Sequence, residues 1–277
     1  MNKIKLGFST CPNDTFIFDA MVHHKIDTEN LDFDIFLGDV EELNQMAFNS
    51  ELDVTKLSYH AYAHLWKDYT ILNSGSALGR NNGPILISKH KIYPDEINDL
   101  KIAIPGKNTT ANLLFSIAFP KATNKKEYLF SDIEEAISSN EVDAGLIIHE
   151  TRFTYEKSGF KKVIDMGEFW EEETKSPIPL GGIVIKKSLD FELKLKIDRI
   201  LKRSIEYAFN NPKSSTNYMK KFAQEMSDSV MQQHVQLYVN NFSFNLGQEG
   251  REAINNLYKK AFDSNIINEL PTDIFLD

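Results

Sequence analysis

A histidine and a glutamate follow one of the most apolar short segments of the chain. Residues 142–148 are mostly apolar and partly β-branched, which predicts a strand buried on both faces. In open α/β sheets, ligands bind beyond the carboxyl ends of strands, and His149 and Glu150 occupy such a position. A neutral imidazole with a pKa near ~6.5 can accept a proton at neutral pH. We therefore predict that His149 is a catalytic base at the mouth of a cleft. The alternative is a strand-end histidine that only hydrogen-bonds a loop.

Two further segments place polar groups where a ligand would bind. Lys56, Leu57 and Ser58 end a predicted strand that begins at residue 52. Thr109 and Thr110 precede an apolar helix, so that free N–H groups and hydroxyls lie at its start. Such a helix start suits a carboxylate or phosphate, although an ordinary N-cap explains the threonines equally well. We predict both segments as substrate-binding.

The loop after the first predicted strand contains Cys11, Pro12, Asn13 and Asp14. Asn13 or Asp14 is expected to cap the following helix and to leave its N–H groups facing the cleft, and we predict both as pocket residues. An ordinary cap is the alternative. Cys11 is expected to be a small buried hydrophobic residue, because no histidine stands beside it in the sequence to generate a thiolate.

The sequence favours neither a metal nor a cofactor. His60 and His64 are four residues apart, but no HExxH motif is present and packing or solvated roles are expected for both. A P-loop, a GxGxxG motif and a GxSxG elbow are also absent from the sequence. We therefore predict no bound metal and no cofactor.

The amino-acid composition limits the classes of protein to which the chain can belong. The 277 residues are 42% hydrophobic and carry a formal net charge of −9, which disfavours nucleic-acid and anionic-membrane partners. The single cysteine excludes an intrachain disulfide. Neither a bilayer-spanning apolar run nor a signal peptide is recognisable, so a cytoplasmic location is expected. The oligomeric state is not predicted.

The order of predicted elements indicates an α/β protein with two lobes. Short strands alternate with helices up to residue 187, and the remainder is helical, at roughly 188–210, 213–226, 228–242 and 247–264. Residues 128–130 are expected to form a strand and Ser131 to cap the next helix. Residues 51–58 and 141–149 show a weak sequence similarity to each other.

We predict that residues 1–90 and 186–277 form lobe 1, with the C-terminal helices, and that residues 91–185 form lobe 2. The two related segments would then face each other across one ligand cleft. Gly181 and Gly182 lie where the chain returns to lobe 1 and are expected to allow a hinge or a close approach of two backbones.

The motifs described above resemble those of the 1,4-dihydroxy-6-naphthoate synthase family of the futalosine route to menaquinone. The most specific is the Cys-Pro-Asn-Asp-Thr-Phe run at residues 11–16, and the resemblance extends over essentially the whole chain. It implies the two-lobe fold of type II periplasmic binding proteins, used as a cytoplasmic enzyme.

The resemblance also implies the reaction, in which a lyase splits cyclic dehypoxanthinyl futalosine into 1,4-dihydroxy-6-naphthoate and dihydroxyacetone. By the same resemblance His149 is the proton acceptor, and residues 56–58 with Thr109 and Thr110 bind this small carboxylate substrate. Two alternatives remain: chorismate dehydratase, of the same pathway and fold, and a solute-binding protein without catalytic activity.

Overall fold

The computed structural model describes residues 3–223 and 227–277, and these residues form two mixed β-sheets surrounded by helices. The strands of the first sheet are β1 (Ile4–Ser9), β2 (Phe33–Gly38), β3 (Val54–Ser58), β4 (Tyr69–Ile71), β5 (Ala77–Gly79) and β11 (Ile178–Lys186). Their order is β2-β1-β3-β11-β4, with β5 also paired to β11. Strand β1 is parallel to β2 and β3, whereas β11 is antiparallel to its neighbours.

The strands of the second sheet are β6 (Ile85–Ser88), β7 (Ile102–Ile104), β8 (Lys125–Glu127), β9 (Ala144–Ile147) and β10 (Lys161–Asp165). Their order is β10-β6-β9-β7-β8. Strand β7 is parallel to β8 and β9, and β6 is antiparallel to β9 and β10. All four residues of β9 are buried, as the apolar sequence before His149 predicts.

The helices cover both sheets, and the longest of them follow β11. They are α1 (Pro12–Val22), α2 (Val40–Phe48), α3 (Tyr59–Leu65), α4 (Thr110–Ala118), α5 (Ile133–Ser138), α6 (Met166–Thr174), α7 (Phe191–Asn210), α8 (Thr216–Phe222), α9 (Asp228–Tyr238), α10 (Asn241–Phe244) and α11 (Gly247–Asp263). Short 3₁₀ helices occupy Ile97–Asp99, Phe130–Asp132 and His149–Phe153. In the described part of the chain, no helix combines the length and apolarity that a membrane span requires.

Three clusters of buried apolar side chains hold these layers together. One packs β1, α1 and α7 around residues such as Phe8, Phe18 and Leu201. A second lies on the outer face of the second sheet, around Ile87 and Ile133. The largest contains residues from both sheets, so the two sheets share a packed core as well as a cleft.

Sheet membership bears on the predicted lobes. Strand β6 precedes residue 91 and yet pairs in the second sheet, and β11 belongs to the first sheet although it begins at Ile178. The lobe boundaries themselves stay a prediction. At Gly181 a Cβ would lie 2.6 Å from the Leu57 carbonyl oxygen, so this glycine allows the close approach of β11 to β3 that the sequence suggested.

Several local predictions were wrong. Helix α1 is capped by Cys11 and not by Asn13 or Asp14, because Pro12 suits the first helical position and the helix begins there. The strand expected at residues 128–130 is β8, three residues earlier, and residue 130 begins a 3₁₀ turn. That turn delays α5, so Ser131 does not cap it.

The late helices also differ in detail from the prediction. The helix predicted over 228–242 is interrupted between α9 and α10, where Asn240 caps the second piece. The helix predicted over 213–226 corresponds to α8, and the end of that prediction, residues 224–226, lies outside the described residues.

Candidate active site

A single cavity collects the residues that the sequence singled out. It is lined by residues of both sheets, and the space not filled by protein atoms is about 670 Å³, open solvent included. The predicted site residues that line it are Asn13, Asp14, Lys56, Leu57, Ser58, Thr109, Thr110 and His149. Their proximity follows from the topology, because the ends of β1, β3, β7 and β9 meet at this cleft. Their individual roles stay predictions.

Asp14 is the centre of the polar wall next to the first sheet. One carboxylate oxygen accepts hydrogen bonds from the Ser9 amide and hydroxyl at 3.1 and 2.7 Å. The other accepts from the Asn13 amide at 2.7 Å and from the Lys56 ammonium at 3.1 Å. Both charges of the Lys56–Asp14 pair are buried. Lys56 therefore reaches the cleft, as predicted, but Asp14 already balances its charge.

The hydroxyl of Ser58 is held by Asn44, which the sequence analysis did not identify. The Asn44 amide donates to the Ser58 hydroxyl at 3.2 Å, and the Asn44 carbonyl accepts from the Ser58 backbone N–H at 3.1 Å. Asn44 also donates to the Glu41 carboxylate at 3.1 Å. Ser58 is thus fixed in one orientation before any ligand binds.

Thr109 caps α4 as predicted. Its hydroxyl accepts from the Asn112 N–H and donates to the Gly106 carbonyl, and the Thr110 hydroxyl donates to the Leu180 carbonyl. Both hydroxyl protons are therefore engaged within the protein. The N–H groups of Thr110 and Ala111 precede the first intrahelical hydrogen bond, and both residues line the cavity. The predicted anion site therefore depends on the helix N-terminus more than on the threonine hydroxyls.

His149 lies on the wall next to the second sheet, two residues after the end of β9. Its backbone has φ of 59°, which is uncommon for a residue other than glycine. Its Nδ1 lies 3.0 Å from the Cys11 sulfur, and the Phe130 ring contacts it edge-on, with centroids 4.8 Å apart. Its Nε2 is buried and has no hydrogen-bond partner among the described residues. His149 lines the cavity, and Nε2 is its ring nitrogen without a partner in the described part of the chain.

Cys11 is buried, as predicted, but the reason for expecting no histidine beside it was wrong. A histidine does stand beside it in space, 138 residues away in the chain. Burial, together with the negative charge of Glu150, raises the pKa of the Cys11 thiol well above its ordinary value. Cys11 is thus a neutral thiol and not a thiolate nucleophile.

His234 is a site residue that sequence reasoning missed. It lies on α9, is 1% exposed, and its ring stacks on that of His149 with centroids 6.4 Å apart. Its Nε2 is 2.9 Å from the Asn13 amide oxygen, and its Nδ1 is 3.9 Å from the Glu150 carboxylate. Burial and the neighbouring His149 lower the pKa of His234 well below its ordinary value, so it is neutral. Its place on the apolar face of α9 signals burial in the sequence but not its partners.

Asn82 is a second missed residue. It lines the cavity, is fully buried, and neither its amide nitrogen nor its oxygen has a hydrogen-bond partner in the described part of the chain. A buried side-chain amide without partners costs about 1–3 kcal/mol. Such a cost suggests that a bound ligand supplies the hydrogen-bond partners of the Asn82 amide.

One cluster in the cleft has the donor set of a metal site. Cys11, His149 and Glu150 each offer one ligand atom, and the three atoms lie within 4.8 Å of one another. Thiolate, imidazole and carboxylate are the ligands of zinc and related ions. The contact of 3.0 Å between Nδ1 and sulfur is shorter than the ~3.5 Å that tetrahedral zinc imposes on two such ligands. The absence of a metal stays a prediction.

Comparison with known proteins gives the same family over nearly the whole chain. Residues 4–263 match the profile of the family described as menaquinone biosynthesis. A 1,4-dihydroxy-6-naphthoate synthase from Thermus thermophilus is 40% identical over 276 residues, which cover 100% of both chains. A second, from Streptomyces coelicolor, is 36% identical and covers 98% of this chain and 96% of its own.

Solved structures support the fold. A crystal structure of a protein from Archaeoglobus fulgidus superposes with a TM-score of 0.91 at 35% identity, covering 96% of this chain and 98% of that one. The ligand-binding component of an ABC-type import system from Staphylococcus aureus superposes with a TM-score of 0.73 at 13% identity, covering 100% and 97%. The predicted two-lobe binding-protein-like α/β fold is thereby confirmed.

Proposed function

The chain belongs to the menaquinone biosynthesis family, and from this premise we propose that it forms 1,4-dihydroxy-6-naphthoate from cyclic dehypoxanthinyl futalosine. The reaction is a carbon–carbon lyase reaction that also releases dihydroxyacetone. The observation that carries the proposal is the unpartnered Nε2 of His149 in a cleft lined by the residues that the sequence predicted to bind substrate.

The N-terminus of α4 offers a carboxylate substrate a place to bind in the cleft. Asp14 compensates the positive charge of Lys56, whereas the N–H groups of Thr110 and Ala111 give the helix N-terminus a positive electrostatic potential. A carboxylate that accepts hydrogen bonds from these two N–H groups is held by charge-assisted hydrogen bonds. Ser58, already oriented by Asn44, contributes a hydroxyl from the wall next to the first sheet.

His149 then acts as the base. Its Nε2 removes a proton from a sugar hydroxyl or from the adjacent carbon of the bound substrate, as a positioned imidazole does at neutral pH. Ring opening and carbon–carbon cleavage follow, and aromatisation of the new ring supplies the driving force. Carbonyl groups of the substrate accept the electrons, so the proposal needs neither a metal nor a cofactor.

A product assay tests the proposal. The purified protein is incubated with cyclic dehypoxanthinyl futalosine, and the mixture is separated chromatographically at intervals. Equal amounts of 1,4-dihydroxy-6-naphthoate and dihydroxyacetone are expected, and chorismate, as the control substrate, is expected to remain intact. If the futalosine compound binds and is recovered unchanged, the protein is a solute binder and the proposal is wrong.

A further inference from the structure

The contact between Cys11 and His149 joins the two walls of the cleft. Cys11 follows β1 of the first sheet, whereas His149 follows β9 of the second. The Nδ1 of His149 lies 3.0 Å from the Cys11 sulfur, and the opposite ring nitrogen, Nε2, faces no partner among the described residues. Only one ring nitrogen carries the proton of a neutral imidazole, and the partner of Nδ1 decides which one.

Two arrangements of hydrogen atoms fit this distance. Either the thiol donates to Nδ1, which leaves the ring proton on Nε2, or Nδ1–H donates to the sulfur, which leaves a lone pair on Nε2. Only the second arrangement provides a base in the cleft.

The unpartnered Nε2 of His149 favours the second arrangement. In the first arrangement Nε2 would carry the ring proton, and a buried N–H without an acceptor costs about 1–3 kcal/mol. In the second arrangement Nε2 carries only a lone pair, and the ring proton on Nδ1 is engaged by the Cys11 sulfur. The position of Cys11 is held by Ser9, whose hydroxyl accepts the Cys11 backbone N–H at 3.4 Å and donates to Asp14 at 2.7 Å.

We propose that Cys11 is a positioning residue whose sulfur accepts the Nδ1–H of His149 and so keeps the Nε2 lone pair free to take the substrate proton. The inference rests on the proposed function, because it assigns the geometry of the base in that reaction.

The same contact makes the hydrogen bonding of His149 depend on how close together the two walls of the cleft lie. Cys11 and His149 come from opposite sheets, so their contact exists only when the two walls are close together. Among the described residues, Glu150, which follows it in the chain, and His234 on α9 are the other titratable groups near His149. His234 is held neutral by burial and so adds no charge that would compete with Cys11 for Nδ1–H.

Kinetics of two variants test the positioning role. In Cys11→Ala the sulfur is lost, and kcat is expected to fall about tenfold with little change in KM, because the base spends less time in its active tautomer. The acidic limb of the kcat/KM profile is expected to move to lower pH, because the imidazolium loses an acceptor. In Cys11→Ser an oxygen can accept the same hydrogen bond, and kcat is expected to recover severalfold relative to Cys11→Ala.

Thr15→Val is the matched control. The Thr15 hydroxyl donates to the Cys11 carbonyl at 2.9 Å at the same helix start, but Thr15 does not line the cavity. This variant is expected to lower stability and to leave the pH profile in place. If Cys11→Ala behaves like Thr15→Val, with an unmoved pH profile and unchanged kcat, Cys11 is merely a packing residue and the proposal is wrong.

The ring nitrogens can be observed directly. In protein carrying ¹⁵N-labelled histidine, the His149 signals are assigned by their loss in His149→Asn, and a proton on Nδ1 is expected in the native chain but not as the dominant form in Cys11→Ala. A proton on Nε2 in the native chain overturns the proposal. So does loss of wild-type turnover in EDTA with recovery in zinc, because Cys11 would then be a metal ligand.

Failure of this inference is distinguishable from failure of the proposed function. Wild-type protein that forms no naphthoate product refutes the function. Wild-type protein that forms the product, together with variants that keep its pH profile, refutes only the role of Cys11.

Discussion

The side-chain amide of Asn108 donates a hydrogen bond of 2.8 Å to the carboxylate of Glu41, and the Asn108 backbone N–H donates to the same group at 3.2 Å. Asn108 precedes α4 beside the second sheet, and Glu41 lies on α2 beside the first. Glu41 also binds Asn44, which orients Ser58. Hydrogen bonds therefore connect Asn108, beside the second sheet, through Glu41 and Asn44 to Ser58 of the first sheet, a predicted substrate-binding residue.

Asn108→Ala is therefore expected to weaken the closed cleft and to raise KM. The lost bond is to a charged and partly exposed group, so a loss of about 1 kcal/mol, or roughly a fivefold rise in KM, is expected. Steady-state kinetics provide the measurement. Gln45→Ala is the control, because the Gln45 amide binds the same carboxylate from within α2. Equal effects of the two substitutions would show that contact across the cleft is irrelevant.

His149→Asn is expected to retain the fold and substrate binding while turnover falls at least ~100-fold, the usual scale for a positioned base. Asparagine tolerates the left-handed backbone that His149 adopts, so the substitution adds little strain. The measurements are kcat and the binding constant of the substrate. His64→Asn, which alters an exposed histidine away from the cavity, is expected to leave both unchanged. Near-normal turnover in His149→Asn would remove the assignment.

The double variant Thr109→Val with Thr110→Val tests the anion site. Loss of the Thr109 cap is expected to cost about 1 kcal/mol in the free energy of unfolding, and the distorted helix start is expected to raise KM about tenfold with a smaller change in kcat. Urea unfolding and steady-state kinetics measure the two effects separately. Thr109→Ser keeps the cap and serves as the control. An unchanged KM would place the substrate carboxylate elsewhere.

Asn82→Leu is expected to raise stability and to impair binding at the same time. The substitution removes two buried polar atoms that have no partner among the described residues, so the free energy of unfolding is expected to rise by about 1 kcal/mol. KM is expected to rise at least about tenfold, because the ligand loses its hydrogen bonds with the Asn82 amide. Thermal unfolding and kinetics are the measurements.

Asn44→Leu is the contrasting substitution for this prediction. Asn44 is also buried, but its amide is fully engaged with Ser58 and Glu41, so the same change is expected to destabilise the protein. If Asn82→Leu lowers stability as much as Asn44→Leu, then Asn82 has partners in the ligand-free protein and the assignment to the ligand is wrong.

His60 predicts a pH dependence of stability. Burial and the neighbouring His64 lower the pKa of His60 to about 4, although its Nδ1 faces the Thr109 carbonyl at 3.2 Å. A histidine with a depressed pKa in the folded state takes up its proton more readily when unfolded. The contribution of neutral His60 to the free energy of unfolding is therefore fully present above pH ~6.5. It is lost as the pH falls from ~6.5 to about 4.

The size of this effect is about 3 kcal/mol over that interval, at 1.4 kcal/mol for each pH unit. Urea unfolding at pH 7 and at pH 4.5 gives the loss for the native chain, and His60→Gln is expected to lose less over the same interval. Substitution of His24, which is exposed, provides the control. Parallel pH curves for the native chain and His60→Gln would contradict the prediction.

Local sequence determined the features that depend on neighbours in the chain. The apolar run before His149 is a buried strand, the Thr109 hydroxyl caps α4, and the periodic apolar residues of α7 are buried. Each follows from a pattern spanning a few residues, where backbone hydrogen bonding and side-chain spacing decide the outcome. Predictions from local sequence were also wrong in places. Ser131 was expected to cap α5, but a 3₁₀ turn precedes that helix.

Only the tertiary structure decided which of these residues meet. Cys11 and His149 are 138 positions apart, and Asn13 and His234 are 221 apart. No periodicity or spacing encodes such pairs, because they arise from the order of strands within two sheets and from the packing of α9 against the cleft. The sequence by itself therefore determined where polar groups leave the strands and begin the helices. The packing of two sheets against one cleft decided that the thiol of Cys11 lies beside the imidazole of His149, since long-range contacts are set by the whole fold.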